Sequence, residues 1–309
     1  MAKWGLSATI LAPATDILNF AAYHLEAGAH RLYLYLDAPS DAFEALKAHP
    51  KIRPTLCDDA YWAKRGRRPA QHQHRQTKNA THAYRRRAEV DWLIHMDVDE
   101  FLVSDQPISD LLAALPDAVH TARVRPMEVL AGAPDMFKAY IPSGPDRLDI
   151  SERLYPNFGR HLKAGMVSHA AGKVFVRTGM HPLTVKIHNV FRGEEKNPGE
   201  TELTALDLAH FHAKTWEDWH KRYPYRLEHG AYRAELPSTK PKDLSRLNMH
   251  ELFRYVETQK GEAGLRAFFA EVVEDSPEMR AKLAAEGLLR SVDLGLDAKR
   301  ARHFPNFTP

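Results

Sequence analysis

Three carboxylates fall within four residues at Asp97-Val98-Asp99-Glu100, directly after the apolar run Trp92–Met96. If the run is a strand, its side chains alternate, so Asp97 and Asp99 share one side and Glu100 faces the other. Two carboxylates one strand repeat apart can hold a hard divalent cation, Mn2+ or Mg2+. Such a cation can neutralise a diphosphate leaving group. The plain alternative is a solvated acidic strand end. Crowded carboxylates repel one another, however, and a metal ion or a basic partner relieves that repulsion.

A second cluster is basic. Tyr61–Val90 carries Lys64, Arg65, Arg67, Arg68, Arg75, Lys78, Arg85, Arg86 and Arg87 against one acid, Glu89, with Gln71, Gln73, Gln76 and Asn79 interleaved. Clustered positive charge gives phosphate affinity. No aromatic stacking pattern or nucleic-acid motif accompanies it, which argues against nucleic acid as the partner. The remaining readings from the residues themselves are an acidic partner or membrane surface, and a solvated face. Among the 18 histidines, His210 and His212 stand at i and i+2 and can share a strand face. A neutral imidazole can complete a metal site begun by carboxylates. His188 is a candidate pocket residue. Lys173 and Arg177 straddle a strand-like stretch and are candidate phosphate ligands.

These residues need a scaffold. Leu6–Leu11, Leu32–Leu36, Lys51–Leu56, Asp91–Met96 and Val119–Arg125 read as strands. Helical spacing follows Pro13, Ser40 caps a helix through Ala48, and Gln71–Arg87 and Pro107–Leu115 read as helices. Strands alternating with helices imply an α/β fold with a mainly parallel, Rossmann-like sheet flanked by helices. Ligands of such sheets bind at the carboxyl ends of the strands, where Ala12-Pro13, Asp37 and Asp97 would all lie. Residues 130–170 are rich in Gly and Pro and read as loops over that crevice. Lys173–Arg177, Thr184–His188 and Leu206–Phe211 read as further strands, Thr215–His229 as a helix. After Pro237 the chain reads as charged helices, Leu244–Lys260, Gly264–Val273 and Pro277–Glu286.

The run Asp97-Val98-Asp99-Glu100-Phe101-Leu102 resembles the Asp-x-Asp motif of GT-A fold glycosyltransferases, and more narrowly their family-2-like and family-92-like branch. The likeness extends to Leu11–Gly28 with Tyr23-His24, to Asp37-Ala38-Pro39-Ser40-Asp41, and to the late stretches His188-Asn189-Val190-Phe191 and His210-Phe211-His212-Ala213-Lys214-Thr215. The branch's usual Lys-Asn-Glu after the first strand is replaced by Pro13-Ala14-Thr15. The resemblance implies a GT-A-like domain over 1–235 and a helical extension over 236–309. It implies transfer of a sugar from a nucleoside diphosphate donor, of UDP or GDP type, to a hydroxyl acceptor on a glycan or lipid. Asp97, Asp99 and His210 would hold Mn2+ or Mg2+. Ala12, Pro13, Asp37, Arg75, Lys78, Asn79, Lys173 and His188 would line the donor site, with Asp37 on the nucleobase. An inverting reaction also needs a carboxylate base; Glu152 is the first candidate, with Glu128 and Asp135 as alternatives.

Two rival functions use the same residues: a metal-dependent phosphoryl hydrolase, and a non-enzymatic binder of polyanions or membranes through 64–87. Other chemistries lack their signatures. There is no Gly-x-Gly-x-x-Gly after a strand, no Walker loop and no Gly-x-Ser-x-Gly elbow. One cysteine, Cys57, excludes an intramolecular disulfide framework. Net charge is +3, so anion affinity must come from local clustering. No apolar run approaches a membrane span, and Trp4–Ala12 reads as a buried strand better than as a leader. The expected setting is cytoplasmic, with peripheral contact at the inner membrane face as an extension of the basic-segment reading.

Overall fold

The computed structural model describes residues 1–86, 89–234 and 247–308. In chain order it begins with β1 (Trp4–Ile10), α1 (Ala14–Glu26), β2 (Arg31–Leu36), α2 (Phe43–Ala48), β3 (Ile52–Leu56), α3 (Asp59–Ala63) and α4 (His72–Arg85). Next come β4 (Trp92–His95), β5 (Glu100–Val103), α5 (Ile108–Ala113), β6 (Thr121–Leu130), β7 (Ala133–Ala139), α6 (Arg147–Leu154) and β8 (Lys173–Arg177). The rest is β9 (Thr184–Val185), β10 (Val190–Arg192), β11 (Glu195–Lys196), β12 (Glu200–His210), α7 (Trp216–Glu228), α8 (Met249–Val272), α9 (Pro277–Ala285), β13 (Leu289–Ser291) and α10 (Leu296–His303). Among the described residues no helix is long and apolar enough to cross a membrane.

The chain forms two compact units. The first takes Met1–Arg125, Ala171–Leu208 and Leu294–Pro309; the second takes Pro126–Ala170 and Ala209–Asp293. This division differs from the expected boundary at 235/236, a point that lies outside the described residues. The reason is connectivity: the chain leaves the first unit along β6, returns at Ala171, leaves again after Leu208 and comes back at Leu294.

In the first unit β1 is buried at every position, as a strand covered on both faces must be. It pairs in parallel with β2 and β4, and β2 pairs in parallel with β3. β8 then runs antiparallel to β4, and the first half of β6 antiparallel to β8. The α/β expectation holds, with a mixed sheet: its β3-β2-β1-β4 half is parallel and its β8-β6 half antiparallel. The chain moves outward from β1 to β2 and β3, then returns to the other side of β1 as β4. Strand order therefore reverses between β1 and β4, which is the switch point where such sheets bind ligands.

α4 covers this half of the sheet. Ala80, Ala83 and Tyr84 join Tyr33, Tyr35, Tyr61, Trp62 and Leu93 in one apolar cluster. One turn earlier the same helix turns the polar Gln76 and Asn79 inward, and both are buried. The sequence expectation for this helix ended at Arg87, which lies outside the described residues. At the other end of the unit, α10 lies on α1. Arg300 donates to Asn19 at 2.6 Å, Arg302 grips Glu26 with two bonds of 2.8 and 2.9 Å, and Leu294 and Phe304 are buried.

In the second unit the latter half of β6 pairs antiparallel with β7, and β7 with β13. Residues 130–170 are therefore not all loop: they hold β7 and α6. The Gly132 turn (φ +94°) and Pro134 read as loop signals in the sequence, but Gly132 sits in a hairpin turn and Pro134 inside β7, where Met136, Phe137 and Ala139 are buried. The helices supply an aromatic core in which Trp219, Tyr223, Phe253, Phe268 and Phe269 meet with ring centroids 4.8–6.3 Å apart. α7 is N-capped by Thr215, and α8 by an Asn248/Glu251 capping box. The expected helix start at Leu244 lies outside the described residues. The expected break after Lys260 is seen at Gly261, where the backbone leaves helical geometry.

Candidate active site at the carboxyl ends of the parallel strands

β4 stops at His95, earlier than the run Trp92–Met96 suggests, and residues 97–100 form a turn. The Glu100 N–H donates to the Asp97 carbonyl at 3.1 Å, and the Asp97 N–H donates to Glu100 Oε2 at 2.8 Å. This reciprocal pair folds Glu100 back onto the side of Asp97. The expected alternation, with Asp97 and Asp99 together and Glu100 opposite, is thereby overturned. Alternation needs extended backbone, and the turn removes it. Asp99 lies half-buried within the turn.

What Asp97 and Glu100 share is Lys173. Its fully buried ammonium lies 2.5 Å from Asp97 Oδ2 and 3.2 Å from Glu100 Oε2. Gln76, from α4, donates to Asp97 Oδ1. Desolvation would raise the Asp97 pKa, but the Lys173 charge and the hydrogen bond from its ammonium hold the carboxyl far below its usual range. Desolvation would lower the Lys173 pKa, but Asp97 and Glu100 raise it. The basic partner foreseen for the acidic run is thus Lys173. The expectation that Lys173 meets phosphate needs correcting: its ammonium is spent on carboxylates. Arg177, the other end of that strand, donates to the carbonyls of Leu115, Pro116 and Val119.

At the carboxyl end of β2, the side chain of Asp37 is wholly buried. Arg75 Nε donates to Oδ2 at 2.8 Å, and Arg68 Nη2 lies 3.0 Å from Oδ1. Burial alone would raise the Asp37 pKa; His72, Arg75 and Arg68 together lower it. Oδ1 accepts no well-aligned hydrogen bond among the described residues. Asn79 completes α4's inward row, donating to Thr9 Oγ1 on β1 at 3.0 Å and accepting from the Tyr61 hydroxyl at 2.6 Å. One helix face therefore reaches three strand ends, with Arg75 at β2, Asn79 at β1 and Gln76 at β4. Lys78 faces elsewhere. It lines an open groove of about 880 Å³ with Arg67, Arg68, His74 and Thr77. Ala12 and Pro13 form the turn after β1, with Pro13 exposed.

No protein-family model matches the chain, and no curated protein does. Among solved structures it is similar to a mycobacterial protein, with 13% identity and a TM-score of 0.31, over 57% of this chain and 53% of that one. It is also similar to glucosyl-3-phosphoglycerate synthase of Mycobacterium tuberculosis in complex with Mn2+, UDP-glucose and phosphoglyceric acid, with 11% identity and a TM-score of 0.29, over 57% of each chain. A third is the galactosyltransferase LgtC with donor and acceptor sugar analogues, with 12% identity and a TM-score of 0.29, over 56% of this chain and 57% of that one. The chain spans little more than half the length of each. These are likenesses of fold; the reading of the site rests on its own residues.

Several site residues escaped the sequence. His95 is buried, and among the described residues neither of its ring nitrogens is hydrogen-bonded; it stands beside an equally unsatisfied Ser7 Oγ, in register on β1. Burial, reinforced by Lys173, pushes its pKa down to about 4, so it is neutral. The period-2 pattern of β4 could have flagged it, since it stands two residues before Asp97. Arg123 on β6 holds the rim of the unit together. It donates to the carbonyls of Ala171 at 2.6 Å and His188 at 3.1 Å, to Asn189 Oδ1 at 3.0 Å, and to Glu200. His188 is fixed from its other side, its Nδ1 lying 2.9 Å from the Gly172 carbonyl. Gly172 has φ +65°, and a Cβ there would lie 1.9 Å from the Val124 carbonyl oxygen, so only glycine fits.

His210 and Glu152 belong to the second unit. Glu152 on α6 forms an ion pair with Arg160 at 3.0 Å. Glu128 is committed to Lys138 and to backbone donors, which removes it as a base. Asp135 is exposed on β7. His212 is a core residue, with its Nε2 2.7 Å from the Tyr232 hydroxyl. Burial foremost, then Arg226, pushes its pKa well below the ordinary value.

Proposed function

We propose that the protein is a metal-dependent glycosyltransferase that moves a sugar from a nucleoside diphosphate donor to a hydroxyl acceptor. The observation that carries this reading is the single face of α4 that joins a buried Asp37 at β2 to the Asp97 turn at β4, across the switch point of a parallel sheet. A nucleotide fits that polarity: a carboxylate for the base at one end, an acidic turn for cation and diphosphate at the other. The under-bonded Oδ1 of Asp37 is an acceptor suited to a base N–H. The donor set of Asp97 and Asp99 is all carboxylate, which suits Mg2+ or Mn2+. His210 is included as an imidazole ligand on the sequence resemblance alone.

When bound, the cation would neutralise charge on the departing diphosphate. The chain's own residues do the rest. Lys173 compensates the charge of Asp97 and Glu100. Arg75 holds Asp37 in place for the base. Glu152 remains the proposed base for an inverting reaction, and its pairing with Arg160 would have to open for that role. A glycan or lipid-linked acceptor, Lys78 and the Ala12-Pro13 turn as donor contacts, and a cytoplasmic setting are parts of the same proposal.

The basic groove of Arg67, Arg68, His74 and Lys78 favours a second reading, polyanion binding without catalysis. A screen of nucleotide-sugar hydrolysis with Mn2+ or Mg2+, paired with thermal shifts by UDP and GDP, separates the two. Metal-dependent hydrolysis of a nucleotide sugar, together with a metal-dependent shift, is the expected result. A shift produced equally by heparin and by nucleotides, independent of metal and without turnover, would overturn the transferase.

A further inference from the structure

The second unit contains a buried charge pair that the proposed reaction does not use. Glu128 on β6 stands directly opposite Lys138 on β7, both are buried, and their charged atoms are 3.4 Å apart. Lys138 also donates to the carbonyls of Gly165 at 3.1 Å and Val272 at 2.9 Å, so its three protons are accounted for. The Glu128 carboxylate receives the N–H of Val167 at 3.0–3.1 Å, the N–H of Ser168 at 2.7 Å, and a 2.6 Å bond from Ser168 Oγ. Burial would raise its pKa, but Lys138 and these donors lower it. The group is therefore an anion that only accepts.

A serine hydroxyl has one proton. With that proton given to Glu128, what Ser168 Oγ can offer elsewhere is a lone pair. His210 Nδ1 lies 3.1 Å from the same oxygen. A hydrogen bond there requires Nδ1 to carry the hydrogen. We propose that Glu128 and Ser168 are positioning residues that hold His210 as its Nδ1–H tautomer and so make Nε2 its ligating nitrogen. The bond made by one ring nitrogen sets the role of the other, and that is the usual means of orienting a histidine ligand. His169 and His212 lie 5.2 and 5.4 Å from His210, centroid to centroid. A buried Lys–Glu pair is weak support for stability in itself; here it fixes the direction of a hydroxyl.

The cation-binding half of this inference rests on the transferase reading, but the tautomer does not, so the two can fail separately. The experiment uses the full chain labelled with 15N-histidine, with the His210 ring signals assigned by their loss in His210→Gln. Long-range 1H–15N correlations without added metal should show a protonated Nδ1 and an unprotonated Nε2. Ser168→Ala should shift the ring towards Nε2–H while the His212 signals stay in place, and Ser168→Thr should restore it. Mn2+ affinity, read from the spectrum of free Mn2+, should fall about 10–100-fold in Ser168→Ala. An Nε2–H ring in the unaltered protein, or a ring unmoved by Ser168→Ala, would overturn the positioning role. A shifted tautomer with unchanged Mn2+ affinity would overturn the cation-binding half.

Discussion

Lys173→Met tests the centre of the site. The ammonium lies 2.5 Å from Asp97 and 3.2 Å from Glu100. At an effective dielectric of about 20, these contacts correspond to bare attractions of about 7 and 5 kcal/mol, most of it cancelled by desolvation. Removing one partner of a buried pair leaves uncompensated charge and costs about 3–5 kcal/mol. With roughly 2–4 °C per kcal/mol, the melting temperature at pH 7 should fall by roughly 6–20 °C. The sign with pH is more telling. In the unaltered protein Asp97 has a depressed folded pKa. Its stabilisation is present above the unfolded value of about 3.9 and is lost as pH falls through the folded one. Lys173 has a raised folded pKa, so its share is present below about 10.4 and is lost as pH rises through the folded value. In Lys173→Met, burial acts on the carboxylates without a compensating cation and raises their pKa, so the variant should gain stability as pH falls from 7 towards 5. Mn2+ should restore part of the loss at pH 7, by about 2.7 kcal/mol at a hundred times its Kd. Thermal unfolding followed by circular dichroism, with and without MnCl2, reads all three effects. A variant that melts within 2–3 °C of the parent at pH 7, about 1 kcal/mol by the same scale, and shows no gain at pH 5 would refute the reasoning.

Asp99→Asn should abolish metal-dependent turnover and the Mn2+-induced thermal shift while leaving the metal-free melting point within about 1 kcal/mol of the parent; full activity of this variant would remove the acidic turn from the mechanism. Asp37→Ala should weaken UDP or GDP binding about tenfold or more by calorimetry, a loss of about 1.4 kcal/mol. Arg123→Ala should cost about 2–4 kcal/mol in denaturant unfolding, because Glu200 loses its cationic partner and two carbonyls lose a donor. At the C-cap of α10, Phe304→Ala should cost about 3 kcal/mol, whereas Arg302→Ala on the helix, whose ion pair with Glu26 is exposed, should cost less than about 1 kcal/mol.

Where period and punctuation governed, the sequence was readable. β1, β2, β3 and α4 appear within a residue or two of expectation, because a buried parallel strand is a continuous apolar run and α4 turns its small apolar residues inward. Asp37 and Asp97 stand where the sequence puts them, just after β2 and β4, and Arg75 stands in the first turn of α4. Glu100 and Lys173 were misplaced because their surroundings are set by long-range pairing. A turn of four residues reversed the side on which Glu100 lies, and β8 delivers Lys173 from 76 residues away in sequence. β7 was missed because Gly132 and Pro134 signal a turn without saying that a strand follows. The bond from Ser168 to Glu128 spans two segments 40 residues apart, which no local pattern records.

The helix α10 has a consequence in time. It packs on α1, so the first unit draws on residues 294–309 as well as on residues near its start. During synthesis the Asn19 and Glu26 side of α1 must therefore wait for Arg300 and Arg302. The stretch Ala209–Asp293, which belongs to the second unit, is made in between. At about 5–20 residues per second, those 85 or so residues take roughly 4–17 seconds. For that interval the surface later covered by Leu294 and Phe304 is open to water and to any chaperone that binds apolar surface.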